Sequence, residues 1–264
     1  MADRYTYIPS IGIFMILSWG ITSFLAGLRC KNIIMFIVSI TVICALVTLT
    51  YKQVGYLKNG ITLYEHAIDV TNLEIVPKNA SSRLYYNLGR AYYDVNNNKK
   101  AIENYRNALK YNPENTGAIN NLANLLYENG KPEDAILLYK RLLIINQRDK
   151  DARSNLANVL VRKGELGEAI TNYTKALEID PKFVDAHYNY GLLLEKQNKL
   201  KEAIVHFSKA IQFDPNYYQA YSEIGVILLR QGKLSKAKIF FEKALQIKSD
   251  YKPALNALRI INPE

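Results

Sequence analysis

The most constraining feature of the sequence is a pattern that recurs every 34 residues through its last two thirds. Five three-residue segments mark it: Asn87-Leu88-Gly89, Asn121-Leu122-Ala123, Asn155-Leu156-Ala157, Asn189-Tyr190-Gly191 and Glu223-Ile224-Gly225. An alanine, an aromatic ring and a further apolar residue follow each segment at fixed distances, as Ala101, Tyr105 and Ala108 do in the first unit. Small residues let two helices approach closely, and large ones fill the gap between them. The pattern therefore predicts a series of packed helix pairs.

A 34-residue period with this arrangement resembles that of the tetratricopeptide repeat (TPR), a helix-turn-helix unit. Counting from Ser82, the sequence divides into five units: 82–115, 116–149, 150–183, 184–217 and 218–251. Position 15 of each unit carries a residue that tolerates a left-handed conformation: Asn96, Gly130, Gly164, Asn198 and Gly232. We expect the first helix of each unit, helix A, to end there before helix B begins. The predicted fold class is all-α, a right-handed TPR solenoid, with a C-terminal capping helix in residues 252–264.

The first 51 residues have the composition of a membrane segment. Residues 8–27 and 33–51 are apolar, uncharged and about long enough to span a bilayer as helices. Because a short segment separates them, the sequence predicts a two-helix transmembrane hairpin. A cleaved signal peptide is the alternative, but the first apolar run is long and lacks an evident small-x-small cleavage site. Residues 52–81 are interpreted as a linker that contains a degenerate half-repeat at 60–70 and a loop around Pro77.

Charge and reactive residues limit the classes of function. The net charge is +10, of which the first 51 residues contribute +2. The remaining charges of both signs alternate at helical spacing, which is typical of a solvated surface and does not favour a nucleic-acid partner. His66, His187 and His206 do not have the spacing of metal ligands. No nucleophile–base pair or phosphate-binding loop is evident, so the sequence predicts no catalytic residue, no metal and no small-molecule cofactor.

Two segments carry a more specific resemblance. Residues 2–12 and 56–67 resemble elements near the last membrane helices of bacterial relatives of the transmembrane-and-TPR O-mannosyltransferases. The resemblance implies that this region is the C-terminal part of a polytopic glycosyltransferase that uses a lipid-phosphate-sugar donor. Its catalytic acidic residues lie in an early extracytoplasmic loop that this sequence does not contain. Met1 is then either an internal residue of a longer enzyme or the start of a truncated paralogue, and Asp3 beside Arg4 is interpreted as an interfacial ion pair.

The candidate binding groove is predicted on helix A. Position 6 of the units forms a row with an amide in the first four and a carboxylate in the fifth: Asn87, Asn121, Asn155, Asn189 and Glu223. An amide both donates and accepts hydrogen bonds, so the row can pair with the backbone of an extended peptide. It resembles the asparagine ladder of O-GlcNAc transferase. The alternative is that these residues are TPR consensus positions that contact a neighbouring helix or water. The other predicted groove residues are Asn124, Asn158, Tyr86, Tyr93, Tyr127 and Tyr188.

These features favour a membrane-anchored module that binds a protein or an extended peptide, as a scaffold or for acceptor recognition. One alternative is the acceptor-binding part of an O-mannosyltransferase-like enzyme, and another is an assembly factor for secretion or pilus machinery. Arg29 and Lys31 place the loop of the predicted hairpin in the cytoplasm by the positive-inside rule. The repeats of this predicted integral membrane protein would then be periplasmic or lumenal.

Overall fold

The computed structural model describes residues 60–261 except Asn72 and Glu74. The predicted transmembrane hairpin and residues 52–59 of the linker lie outside the described residues. Within the described ranges, no helix is both long and apolar enough to cross a membrane. The chain divides into two compact units, residues 1–66 and 67–264, and the packed helix pairs of the described residues lie in the second.

The described part of the chain contains twelve α-helices. Their bounds are α1 Gly60–Val70, α2 Lys78–Asp94, α3 Asn98–Tyr111, α4 Thr116–Glu128, α5 Pro132–Ile145, α6 Lys150–Lys163, α7 Leu166–Ile179, α8 Val184–Lys196, α9 Leu200–Phe213, α10 Tyr218–Arg230, α11 Leu234–Ile247 and α12 Lys252–Ile261. Helix α2 begins directly after Pro77, four residues before Ser82, the predicted start of the first unit.

Consecutive helices from α2 onward pack as pairs, and each pair packs against the next. The pairs are α2/α3, α4/α5, α6/α7, α8/α9 and α10/α11. The second helix of each pair also contacts the helix that follows it, and α12 packs on α11 with Ala254 and Ala257 buried. The all-helical TPR solenoid predicted from the 34-residue period is therefore confirmed.

Each helix pair buries one aromatic ring at its centre, and this ring belongs to the helix B residue at unit position 24. These rings are at most 2% exposed: Tyr105, Tyr139, Tyr173, Phe207 and Phe241. The residue at position 8 of helix A faces the ring and has to be small. A Cβ atom added to Gly191 would lie 2.6 Å from Cε1 of Phe207, and one added to Gly225 would lie 2.8 Å from Cε1 of Phe241. The recurring small and aromatic residues thus set the close packing of helix A on helix B.

The turn between helix A and helix B has the same backbone conformation in all five units. The angle φ at position 15 is +58° at Asn96, +72° at Gly130, +89° at Gly164, +61° at Asn198 and +71° at Gly232. Asn96 and Asn198 are the non-glycine residues with positive φ in the described part of the chain. The left-handed turn predicted at this position is therefore confirmed.

Replacing Gly164 with valine is expected to lower the free energy of unfolding by about 1–2 kcal/mol, because a β-branched residue resists positive φ. Apart from Gly164 and its two chain neighbours, no heavy atom lies within 4 Å of the added Cβ position, so the effect comes from the backbone conformation. Urea denaturation of the full chain measures it. Gly164→Asn should have a smaller effect, since Asn198 adopts the same conformation. Gly167→Ala, where space is equally open, should be neutral or stabilising. Equal stabilities of the valine variant and Gly167→Ala would contradict the argument.

Candidate functional site

The predicted asparagine row places one side chain on the A helix of each unit. We use this name for Asn87, Asn121, Asn155, Asn189 and Glu223, which lie on α2, α4, α6, α8 and α10 and are all half-buried. Within the described residues, the side chains of Asn87, Asn155 and Asn189 have no hydrogen-bond partner. Asn121 Nδ2 donates a long bond of 3.4 Å to the Tyr105 hydroxyl. The row therefore presents amide groups whose hydrogen-bonding capacity is largely unused.

The neighbouring asparagines at position 9 are bonded within their own helix pairs. Asn124 accepts a hydrogen bond from the Tyr139 hydroxyl through Oδ1, and Asn158 accepts one from Tyr173. Burial raises the pKa of both tyrosines, so their hydroxyls stay protonated and act as donors. The amide oxygens of Asn124 and Asn158 thus hold helix A to helix B, and their Nδ2 groups remain as donors for a ligand.

The last two units show the apolar counterpart of this pairing. Phenylalanine replaces the tyrosine at position 24 of these units, and an aliphatic residue replaces the asparagine: Leu192 with Phe207 and Val226 with Phe241. Because a phenyl ring offers no hydroxyl, an amide opposite it would lose its partner. The co-occurrence of tyrosine with asparagine was the sequence signal that could have revealed these bonds.

The four predicted groove tyrosines have different surroundings. Tyr93 is 45% exposed. The guanidinium carbon of Arg162, in the next unit, lies 5.2 Å from the centroid of the Tyr127 ring. Tyr86 contacts the next unit at Gly117, where an added Cβ would be 3.0 Å from the Tyr86 hydroxyl oxygen.

Tyr188 packs between its own unit and the next. Its ring centroid lies 5.7 Å from that of Phe207 and 5.1 Å from that of Tyr217. Of the four predicted tyrosines, Tyr93 is consequently the most accessible to a ligand.

A cavity of about 210 Å³ lies beside the row at the first two units. It is lined by Arg90, Tyr93, Asp94, Tyr105, Asn121 and Asn124. The lining offers charges of both signs, an amide of the row and the exposed Tyr93 ring. This combination can hydrogen-bond both the N–H and the C=O of a peptide group while an apolar side chain contacts the ring.

The last member of the row is a carboxylate with a different environment. Burial raises the pKa of Glu223, and nearby Glu195 adds to this effect, whereas Arg230 and the Tyr188 hydroxyl oppose it. Arg230 itself forms an ion pair with Glu195, with 2.9 Å between Nη1 and Oε1. The row therefore changes from neutral amides to an acidic group at its end, where a ligand cation would be favoured.

The structure also brings together His187 and His206, whose spacing in the sequence does not predict a metal site. His187 Nδ1 lies 3.0 Å from His206 Nδ1, and His187 Nε2 lies 3.0 Å from the carbonyl oxygen of Pro181. The consistent assignment has His187 Nε2–H donating to Pro181 and His206 Nδ1–H donating to His187. The two residues occupy unit positions 4 and 23. Tyr221 and Phe240 occupy the same two positions in the fifth unit, and their ring centroids lie 6.3 Å apart. Positions 4 and 23 therefore face each other in both units, and the 34-residue period places the two histidines at these positions.

The histidine pair predicts a pH dependence of stability. Burial lowers the pKa of His187, and burial with the neighbouring His187 and Lys209 lowers the pKa of His206 to about 4. An unfolded histidine has a pKa of about 6.5, so the unfolded state binds more protons below that pH. Stability should therefore fall as the pH drops from about 6.5 towards 4.

His206→Asn should reduce this dependence. Asn104 and Asn172 fill the same position in two other units, where each donates Nδ2 to a backbone oxygen. The measurement is thermal unfolding of both proteins between about pH 7 and pH 4, with Ser208→Ala, at an exposed position on the same helix, as the control. Parallel pH profiles for the wild-type protein and His206→Asn would contradict this assignment.

Comparison with known families agrees with the geometry. Tetratricopeptide repeat models match residues 86–152, 157–198, 194–232 and 218–251. The repeats are therefore tetratricopeptide repeats, and this part of the chain is a TPR protein-interaction module.

One curated protein and two solved structures illustrate the similarity. The chain is 31% identical to the mouse (Mus musculus) protein O-mannosyl-transferase TMTC1 over 126 residues, which are 47% of this chain and 13% of that protein. The crystal structure of MamA aligns with this chain with a TM-score of 0.55 and 25% sequence identity, and the alignment covers 62% of this chain and 96% of MamA. YrrB, described as a TPR protein with an unusual peptide-binding site, is 22% identical with a TM-score of 0.55, covering 74% of this chain and 97% of YrrB.

Proposed function

We propose that the array binds partner proteins through an extended peptide segment that lies along the asparagine row. The observation that carries this proposal is the unused hydrogen-bonding capacity of Asn87, Asn155 and Asn189, which are half-buried without a partner within the described residues. A polar group that is partly removed from water gains more from a ligand hydrogen bond than a fully solvated one does. The peptide-binding site described for YrrB, whose fold is similar, supports the same use of the array.

Recognition by this row depends mainly on the peptide backbone. Each amide can donate to a carbonyl oxygen and accept from an N–H group, and every residue of an extended peptide offers both. Side-chain preferences then come from the edges of the row: the exposed Tyr93 ring at one end and the Glu223 carboxylate at the other. The module should bind extended peptides of many different sequences, and it should prefer those that place a basic residue near Glu223.

Backbone methylation of the ligand tests the proposal. Short synthetic peptides of several compositions, together with sequence permutations of each, are titrated onto the full chain. Affinity should survive permutations that leave any basic residue in place, and N-methylation of alternate residues should abolish it because the methyl groups remove the N–H donors. A ligand set that binds by side-chain sequence alone, with no response to N-methylation, would overturn the proposal.

A second candidate function is acceptor recognition in a membrane O-mannosyltransferase. The similarity to TMTC1 favours it, although the matched region spans 13% of that protein. In this proposal the row holds the acceptor polypeptide, and the chemistry is performed by a catalytic part encoded upstream. The DNA that precedes the Met1 codon provides the test. An in-frame extension with many apolar spans and an acidic pair in its first loop is expected, and an in-frame stop codon would exclude it.

We further propose that the predicted hairpin anchors the module with its repeats on the extracytoplasmic side, as expected from Arg29 and Lys31. A membrane-impermeant thiol reagent applied to intact cells should label an engineered cysteine at Ser249 and spare native Cys30. Cells permeabilised before labelling serve as the control for the reactivity of Cys30. Labelling of Cys30 alone in intact cells would place the repeats in the cytoplasm.

A further inference from the structure

A second cavity, of about 320 Å³, lies where the second unit meets the third, and none of its lining residues belongs to the asparagine row. It is lined by Gln147, Arg148, Arg153, Lys175, Glu178 and Ile179. These residues come from α6, α7 and the loop that precedes α6. Three cationic side chains and one carboxylate therefore share one shallow, open site, in which Arg153 is half-buried and Arg148, Lys175 and Glu178 are exposed.

The other units show why this arrangement is unusual. Position 26 of helix B is cationic in four units: Arg141, Lys175, Lys209 and Lys243. Position 4 of helix A faces it, as in the fifth unit, where Lys243 Nζ lies 5.9 Å from the centroid of the Tyr221 ring. Position 4 is tyrosine, isoleucine or histidine in the other units and arginine in the third. Among the five units, the third is thus the one in which two permanent cations meet at these positions.

The charges of this cavity are not neutralised by ion pairs within the described residues. No carboxylate lies within 4.0 Å of the charged atoms of Arg148, Arg153 or Lys175, and Glu178 has no cationic partner at that distance. Arg153 is oriented by its own backbone contacts, because Nε and Nη2 donate to the Gln147 carbonyl oxygen at 3.2 and 2.7 Å. Its remaining guanidinium nitrogen, Nη1, is left for a ligand.

We propose that this cavity binds the phosphate group of a phosphomonoester, with Arg148, Arg153 and Lys175 as its contacts. Three cations and Glu178 leave an excess of two positive charges, which matches a phosphomonoester near its dianionic state at neutral pH. An oriented guanidinium is suited to phosphate oxygens, and an ammonium group adds a point charge. Such a ligand also relieves the repulsion among the three cations. The phosphate can belong to a soluble metabolite or to a lipid headgroup.

Thermal unfolding of the full chain in neutral detergent tests the site. Glycerol 3-phosphate should raise the melting temperature saturably when sodium chloride keeps the ionic strength constant. Lys175→Gln and Arg153→Tyr should each weaken the apparent affinity about tenfold or more, since each removes a charged hydrogen bond. Arg153→Tyr installs the residue found at the equivalent Tyr85 and Tyr221, so folding is retained. Lys243→Gln, at the same unit position as Lys175, is the matched control and should bind as the wild-type protein does.

The same assay distinguishes the two sources of phosphate. Dihexanoyl phosphatidic acid carries the glycerol 3-phosphate group with acyl chains, and dihexanoyl phosphatidylcholine controls for the chains. Stabilisation by glycerol 3-phosphate alone supports a soluble ligand. A larger effect of the phosphatidic acid that Lys175→Gln removes supports a lipid headgroup. The proposal is overturned if neither compound stabilises the protein, or if Lys243→Gln loses as much affinity as Lys175→Gln.

Discussion

Replacing Phe207 with alanine is expected to lower the free energy of unfolding by about 3–5 kcal/mol. The ring is fully buried and lies so close to α8 that a Cβ on Gly191 would be 2.6 Å from Cε1. Tyr188 contacts the same ring, with centroids 5.7 Å apart. The cavity left by the substitution lies between two helices whose close approach the ring defines, so neighbouring side chains cannot fill it without moving a helix.

The measurement combines urea denaturation with hydrogen exchange resolved by helix. In a repeat array each unit contacts its neighbours alone, so the loss of protection should be greatest in α8 and α9 and smaller in the adjacent pairs. Val205→Ala on the same helix is the control. Val205 is 52% exposed, and its truncation should change stability by less than about 0.5 kcal/mol. Similar losses in the two variants would show that the ring does not set the packing of this pair.

The sequence was sufficient to predict the repeat fold because its period encodes contacts directly. A small residue facing an aromatic ring and a turn residue at position 15 each express one geometric requirement. The positive φ values of Asn96 and Asn198 follow from the same alignment that places Gly164 at a turn. Each requirement concerns a single helix pair. Because the sequence contains five such pairs, each requirement appears five times at the same unit position and can be recognised without a structure.

The candidate site was less predictable because its residues meet across helices. The row was inferred from helix A alone, and this could not show that Asn124 and Asn158 are bonded to tyrosines of helix B. For the same reason the contact between His187 and His206, 19 residues apart, was not predicted. Their contact depends on which faces of two helices oppose each other. Comparing positions 4 and 23 between units would have supplied this information.

Changing Asn121, Asn155 and Asn189 together to alanine is expected to weaken peptide binding by about one to three powers of ten. Each lost hydrogen bond to a partly desolvated peptide group should cost about 0.5–1.5 kcal/mol. Stability should change much less, because Asn155 and Asn189 have no side-chain partner within the described residues and Asn121 has two long bonds, one to Tyr105 at 3.4 Å and one from Asn120 at 3.5 Å. Alanine is also a better helix former than asparagine. The affinity is measured by fluorescence anisotropy with one labelled peptide of the permuted set, and melting temperatures are recorded for the same samples.

Asn124→Leu provides the matched control, because it alters a helix A asparagine that is bonded within the array. It leaves the buried Tyr139 hydroxyl without its partner and should lower stability by about 1–3 kcal/mol. Peptide affinity should fall by no more than about tenfold, because a single donor, Asn124 Nδ2, is removed. Adding Tyr139→Phe should recover stability, since the pair then reproduces Leu192 and Phe207 of the fourth unit. Unchanged peptide affinity in the triple variant would contradict peptide binding by the asparagine row and would indicate that these asparagines are only TPR consensus residues. A collapse of its melting temperature would show instead that these asparagines hold neighbouring repeats together.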